Sequence, residues 1–551
     1  MNFMRIPPMD RGKLSGHYKT SYLQMKQTKL LLISFLSLII FIVGCSSAPE
    51  SKPVKNSTLI PTGSTEAQIV ALAANVTPSP RQVVWQDGEF TAFFHFTVNT
   101  FTDREWGDGK ESPSVFNPTS LDAKQWVQTA KDAGIKQVIL TCKHHDGFCL
   151  WPSKFTEHSV KNSPYKNGKG DVVKEVSDAC KELGIKFGVY LSPWDRHEPS
   201  YGDSPTYNTY FVNQLTELLS NYGPVAEVWF DGACGEGPNG KRQVYDFKSY
   251  YSVIRKLQPD ATIAIMGPDV RWVGTESGYG RETEWSVVPV TTARLDEISA
   301  SSQQNASNSA FVPEGDMQKP DLGSRAVIAN AKGLIWYPSE VDVSIRPGWF
   351  YHASQDSLVK TPEKLLDIYF SSIGRNSLLL LNIPPDRRGL LHENDVHNLQ
   401  FFKKAIDDIF ATNYLNGAKI EVDSHSGSQK GEFCIDNDNK TWWAAASDRS
   451  DATLDLTLNG QQTFNVLMLQ ENIQVGQRIE LFILEGWING EWQKLTEGST
   501  VGYKRLLRFD TVTTDKVRLR ILKSRLNPTI SSFGLYMNRM KKVEKNRTTK
   551  V

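Results

Sequence analysis

Residues 137–193 read QVILTCKHHDGFCLWPSKFTEHSVKNSPYKNGKGDVVKEVSDACKELGIKFGVYLSP. The stretch opens on an apolar, β-branched run, Gln137–Lys143, that breaks into the polar His144-His145-Asp146-Gly147. Val172–Leu183 then has helical spacing and stops at Gly184, the residue type that ends helices most easily, and Lys186–Pro193 returns to an apolar run. Strand, crossover helix and second strand make a βαβ unit with parallel strands. The alternation continues in both directions. FTAFFHF (Phe90–Phe96), AEVWFDG (Ala226–Gly232) and TIAIMGP (Thr262–Pro268) read as further strands, and LIWYPSEVDVSIR and SLLLLNIPP as later ones. Helical stretches over Leu121–Ala133, Phe211–Tyr222 and Tyr245–Leu257 lie between them. The expected fold class is α/β, a (β/α)8-like TIM barrel over residues 81–413. A doubly wound open sheet is the second reading, weakened because no G-x-G-x-x-G follows the first strand.

The whole chain has 551 residues, enough for several domains. With 39% hydrophobic residues and 14 Trp it can fill large cores, which excludes disordered and collagen-like classes. Lys and Arg number 62 against 61 Asp and Glu, so no global field exists to attract nucleic acid, and an uncharged partner fits better. Residues 1–45 read as a signal peptide: Lys19, Lys26 and Lys29 precede the uncharged run Leu30–Gly44, which is shorter than the roughly 20 residues that span a bilayer. Met25 is a second candidate start. Ile42-Val43-Gly44-Cys45 resembles a bacterial lipobox, which implies a lipid on Cys45, the only expected membrane contact, and a place in the bacterial cell envelope. Residues 46–80 are rich in Ser, Thr, Pro and Ala and read as a flexible tether. The other cysteines, Cys142, Cys149, Cys180, Cys234 and Cys434, are odd in number and irregularly spaced, so they read as buried thiols.

In a barrel of this kind, chemistry sits where strands end. Those ends carry His95 with Glu105 and Trp106, then His144 and His145, then Trp194, then Asp231, then Asp269, Arg271 and Glu276. Asp231 closes Val228-Trp229-Phe230 and is followed by Gly232, so its carboxylate stands on the lip of a rigid strand. Alone it would read as a helix cap or turn residue. Its company with Glu276, in the loop after the next strand, gives the two carboxyl groups that glycosidic bond cleavage requires. His144 and His145 invite a zinc reading, but neighbours on a strand point to opposite faces unless the strand has already broken into loop, and no His-x-His is present, so the expectation is no active-site metal and no required cofactor. They serve better, with His95 and Glu105, as hydrogen-bonding partners of sugar hydroxyls, with Trp106 and Trp194 as ring platforms; for Trp194 a packed core ring is the competing reading.

HFTVNTFTDREWG, KHHDGFCLWPSKFTEHSV, KFGVYLSPWDRH, VAEVWFDGACGEG and MGPDVRWVGTESG together resemble an α-L-fucosidase of glycoside hydrolase family 29 over roughly residues 83–412. The resemblance implies a fucosylated oligosaccharide substrate and a retaining mechanism. In it Asp231 is the nucleophile, and His95, Glu105, Trp106, His144, His145 and Tyr190 hold the sugar. The loop bearing Arg271 resembles the branch acting on α-1,3 and α-1,4 linkages, where Glu276 matches the acid/base; Glu282, Glu284 and Glu236 are its competitors. Trp349 is placed over the sugar by the same resemblance. A barrel glycosidase for another sugar such as galactose, and a non-catalytic glycan-binding lipoprotein, are the alternatives.

From about Ala418 short alternating strands replace the helical pattern, with turn signals at Asn459-Gly460 and Asn489-Gly490. The expectation for residues 414–540 is an all-β sandwich followed by a basic tail, 541–551. CIDNDNKTWWAA and QENIQVGQRIELFILEGW resemble a discoidin-like module, which implies a structural calcium near Asp436 and Asp438; a solvated acidic turn is the other reading. Trp442 and Trp443 read as core or hinge rings rather than a sugar platform.

Overall fold

The computed structural model describes residues 55–290 and 320–540. The signal segment, Cys45, residues 46–54 of the expected tether and the 541–551 tail lie outside these described residues.

Eight parallel strands form the central sheet: β1 (Phe90–Phe94), β2 (Gln137–Lys143), β3 (Lys186–Leu191), β4 (Glu227–Phe230), β5 (Thr262–Ile265), β6 (Arg271–Trp272), β7 (Ser339–Ser344) and β8 (Ser377–Asn382). The order is β5-β4-β3-β2-β1-β8-β7-β6, and a parallel bridge between Ala264 and Val270 brings the two edges together into a nearly closed barrel. Strands β1 to β5 lie where the apolar runs place them. One helix, Val172–Leu183, keeps the predicted bounds, with Gly184 in the left-handed region at its end. Ser204–Asn221 starts earlier than its apolar spacing suggested, because Asp203 and Pro205 open a polar first turn. The run LIWYPSEVDVSIR divides at Tyr337-Pro338. Its first part belongs to Gly333–Trp336, which pairs antiparallel with Ser57–Leu59 and Val287–Val290, and only its second part is β7.

The tether expectation over 46–80 is corrected from Ser57 onward. Ser57–Leu59 is a strand, and Glu66–Ala74 is a helix with a Thr65/Gln68 capping box. Composition hid the reason: Ile69, Val70 and Ala73 share one helix face and pack on Val287, Leu334, Trp336 and Ile473.

Strand alternation sends one set of side chains into the barrel and the other toward the helices. Phe93, Ile139, Tyr190, Trp229, Leu378 and Leu380 fill the interior above Trp85. Two carboxyl groups share that interior. Glu227 accepts from the indole of Trp85 (3.1 Å) and from Gln137 (2.5 Å), and Glu340 accepts from the indole of Trp229 (2.8 Å). Burial raises the pKa of both; the charge of Glu227 adds to the rise at Glu340, and that of Asp269 to the rise at Glu227. The folded protein therefore holds protons here that the unfolded chain gives up in the ordinary glutamate range, so stability falls as pH climbs above that range. Glu227→Gln, neutral at every pH, is expected to flatten the decline in melting temperature between acidic and mildly alkaline buffer. An unchanged slope would remove this pair from the account.

The C-terminal region is an antiparallel β-sandwich. Ala452–Gln470 and Arg505–Ser524 run beside each other for most of their length, flanked by Lys419–Val422, Ile479–Ile488, Glu491–Gly498 and Ser532–Tyr536. Trp443, Leu454, Leu467, Phe482, Leu484 and Leu519 occupy its core. Asn489-Gly490 is the predicted hairpin turn, both residues at positive φ as a tight turn of this hand requires. Asn459-Gly460 is not a turn between strands. The ladder to the same partner strand shifts register between Thr457 and Gln462 and then resumes, so the pair marks a bulge in one bent strand. Trp443 is a core ring, its indole N–H on the Ser424 carbonyl. Asp436 accepts from the Asp438 amide (2.9 Å) and the Thr441 hydroxyl (2.7 Å), and Asp438 from the Lys440 amide (3.0 Å), so local donors already engage the acidic turn. Cys142, Cys149, Cys180 and Cys434 are buried free thiols, while Cys234 is partly exposed.

Candidate active site

The C-terminal ends of the strands surround a cavity of about 220 Å³. His95, Trp106, His144, His145, Asp231, Glu276 and Trp349, all singled out from the sequence, line it.

Asp231 follows β4 directly, and both its oxygens are fixed: Tyr190 donates its hydroxyl to Oδ2 (2.8 Å) and the Ala233 amide donates to Oδ1 (2.7 Å). A carboxylate so held presents a fixed lone pair to whatever occupies the cavity. Tyr190 is thus a holder of Asp231 and lies fully buried.

Three neutral imidazoles stand beside it. Burial lowers the pKa of His95 to about 4 and pulls those of His144 and His145 down as well. Hydrogen bonds fix which nitrogen carries the proton. Asn382 gives its amide N–H groups to Ser344 and to the Trp349 carbonyl, so its Oδ1 accepts from His95 Nδ1 (2.8 Å). Ser192 donates to the Trp194 carbonyl, so its oxygen accepts from His145 Nδ1 (2.7 Å). In both rings Nε2 is left as an acceptor, matched to a hydroxyl O–H. The two adjacent histidines do not point apart as alternation predicts. β2 ends at Lys143, the chain turns, and the His144 and His145 rings lie 4.0 Å apart. With Asp231 they offer one ligand atom each, all within 4.8 Å of one another, the only group of this kind among the described residues.

Glu276 sits in the loop after β6. Burial raises its pKa, the Trp349 indole N–H on Oε2 (3.2 Å) works against the rise, and the charges of Asp231 and Glu105 add to it. One held carboxylate and one carboxyl of raised pKa across a common cavity are a nucleophile or base paired with an acid.

Other expected residues act at one remove. Glu105 accepts from the backbone amides of Trp349 (2.8 Å) and Phe350 (3.3 Å) and contacts His352 Nε2 (2.6 Å), so it holds the loop that carries Trp349. Trp106 is 54% exposed at the mouth, perpendicular to both His145 and Trp194. Trp194 lies behind it, its indole N–H on the Glu236 carbonyl, which favours the packed-ring reading. Arg271 is corrected: its guanidinium is buried away from the cavity, donating to Glu284 and to the Tyr337 and Trp285 carbonyls. Its position at a strand end suggested the cavity, but Trp272, the alternate residue on β6, is the one that lines it. Glu284, 1% exposed between Arg271 and Arg281, is a structural counter-ion, and Glu282 points outward beside Arg375.

Phe93, Trp229, Trp272 and Asp342, none of them singled out from the sequence, also line the cavity. Asp342 accepts from the Trp272 indole (2.7 Å), and burial pushes its pKa up to about 8, with Glu276 and Asp231 contributing. The signal was present in Glu340-Val341-Asp342-Val343-Ser344, whose alternation turns both acids inward.

The family model described as Alpha-L-fucosidase matches residues 81–404. Alpha-L-fucosidase 1 of Arabidopsis thaliana is 45% identical over 482 residues, covering 86% of this chain and 90% of that protein. A Bacteroides ovatus protein crystallised under the alpha-L-fucosidase name is 49% identical with a TM-score of 0.78, covering 90% of this chain and 79% of that one. A Ruminococcus gnavus fucosidase of glycoside hydrolase family 29, solved in complex with fucose, is 33% identical with a TM-score of 0.73, covering 84% and 95%.

Proposed function

The chain belongs to the alpha-L-fucosidase family of glycoside hydrolases, and from that premise we propose that it is a retaining exo-enzyme removing terminal α-1,3- or α-1,4-linked L-fucose. The observation that carries the reading is the pairing across one cavity of Asp231, fixed by Tyr190 and Ala233, with Glu276, whose carboxyl burial keeps protonated to higher pH.

Asp231 attacks the anomeric carbon as the bond to the aglycone oxygen breaks, and Glu276 gives that oxygen its proton. Water then attacks the fucosyl ester as Glu276 takes its proton, and Asp231 leaves as a carboxylate. The Nε2 atoms of His95 and His145 accept from sugar hydroxyls, and Trp349 and Trp106 border the uncharged faces of the ring. Comparing 4-nitrophenyl α-L-fucoside, 4-nitrophenyl β-D-galactoside and a Lewis-type trisaccharide tests the substrate. Hydrolysis of both fucosides with release of the α anomer first, seen by proton NMR, is expected; β-first release would refute retention, and preference for the galactoside would refute the sugar.

No metal takes part in either step of this reading. Dialysis against a chelator should therefore leave turnover unchanged, whereas loss restored by one divalent ion would instead assign His144, His145 and Asp231 to that ion. Trp349→Phe removes the donor that favours the charged form of Glu276, so the alkaline limb of the pH profile should move upward. A downward move would separate the indole from Glu276.

From the sequence we further propose that a lipid on Cys45 keeps the chain in the bacterial envelope and that the C-terminal sandwich is discoidin-like. Metabolic labelling with a palmitate analogue, lost in Cys45→Ser, tests the anchor.

A further inference from the structure

Glu276 stands on a loop, not on a strand, yet an acid must hold its place to within a fraction of an ångström. The chain from Val273 to Ser286 has no regular structure of its own, and much of what holds it comes from the sandwich. Gln477 bridges it twice, accepting from the Ser286 amide (2.8 Å) and donating to the Glu284 carbonyl (2.9 Å). Thr500 accepts from the Glu284 amide (3.1 Å), Ser499 shares a hydrogen bond with Thr283 (2.8 Å), and Arg505 donates to the Glu282 carbonyl (2.5 Å).

A second line of contact reaches closer to the acid. Tyr279, three residues beyond Glu276, donates its hydroxyl to Asp367 (2.7 Å) on the barrel helix Pro362–Ser371. Arg508 of the sandwich takes the other oxygen of Asp367 (2.6 Å) and lies over the Phe370 ring. Asp367 thus joins loop, barrel and sandwich in one network, and Gly278 is packed against Ile368 of the same helix.

We infer that the sandwich edge, through Gln477, Thr500 and Arg508, is the latch that positions Glu276, so that the C-terminal region is a working part of the active site. Asp231, by contrast, stands on β4 and is held by barrel residues alone. A loosened latch should therefore damage proton delivery and spare nucleophilic attack. The inference rests on Glu276 being the acid.

That asymmetry can be measured in the full chain. An unactivated α-fucosyl disaccharide needs its leaving oxygen protonated, whereas α-L-fucosyl fluoride departs with little help. For Arg508→Ala, and separately Gln477→Ala, kcat/KM on the disaccharide should fall about 10- to 100-fold while that on the fluoride stays within about twofold. Arg508→Lys should restore most of the loss. Arg508 is 27% exposed, so its removal is the variant expected to fold if Gln477→Ala does not. Equal losses on both substrates, or none on either, would overturn the latch. Glu276→Ala run alongside separates the two claims: leaving-group dependence there but not in the latch variants refutes the latch only, and its absence in Glu276→Ala refutes the acid itself.

Discussion

Asp231→Ala should fold with the thermal stability of the parent chain and lose turnover on the order of 10⁶-fold, as removal of a covalent nucleophile does elsewhere. The fold should survive because the Asp231 side chain is partly open to the cavity, and its buried neighbour His145, with Nε2 at 3.7 Å, is an imidazole whose pKa burial lowers, so truncation strands no charge. Tyr190 loses one acceptor, a cost of about 1 kcal/mol that water entering the cavity offsets. The chemistry has no such substitute. On the proposed double displacement, the variant lacks the carboxylate that attacks the anomeric carbon. Azide, small and nucleophilic, can occupy the vacated space and form the carbon–nitrogen bond as the aglycone departs. A single displacement inverts the centre, so an α-fucoside with a good leaving group should yield β-L-fucosyl azide. Parental turnover in this variant would remove Asp231 from the mechanism, and an α-azide would place the nucleophile elsewhere.

Glu276→Ala should produce the mirror-image result. General acid catalysis contributes about 10² to 10⁴ in rate, and the loss should be largest on unactivated aglycones. The parent enzyme should lose activity as pH rises through the raised pKa of Glu276, because only the protonated form can deliver the proton. The variant should show no such limb. Here azide attacks the fucosyl ester on Asp231 after the first displacement, and two inversions give α-L-fucosyl azide. The two variants thus predict opposite anomers from one reagent, a distinction that a merely destabilised protein cannot imitate.

How much of this could be read in the sequence follows from what each residue does locally. Asp231 was legible because a single apolar strand ends on it and glycine follows, a pattern contained in seven residues. The barrel was legible for the same reason, repeated strand by strand. Arg271 is misplaced because β6 is two residues long, too short for alternation to show which side chain faces inward; Asp342 escapes notice for another reason, since β7 alternates over six residues but carries this acid inside the strand rather than at its end. The histidine pair misled for a related reason: alternation holds only while the strand lasts, and β2 ends one residue before His144. Average composition concealed the Glu66–Ala74 helix, whose apolar face is set by spacing within a Ser- and Pro-rich neighbourhood. The contacts by which the sandwich holds the Glu276 loop join residues more than 190 positions apart and leave no local trace.

The central claim is that fucose passes through an ester on Asp231. Incubation with 2-deoxy-2-fluoro-α-L-fucosyl fluoride, which slows breakdown of the ester, followed by proteolysis and mass spectrometry, tests it most directly. One fluorofucosyl adduct is expected, on the peptide containing Val228-Trp229-Phe230-Asp231-Gly232 and absent from Asp231→Ala. An adduct on Glu276 or another carboxylate, or turnover of the reagent that releases the β anomer first, would contradict it.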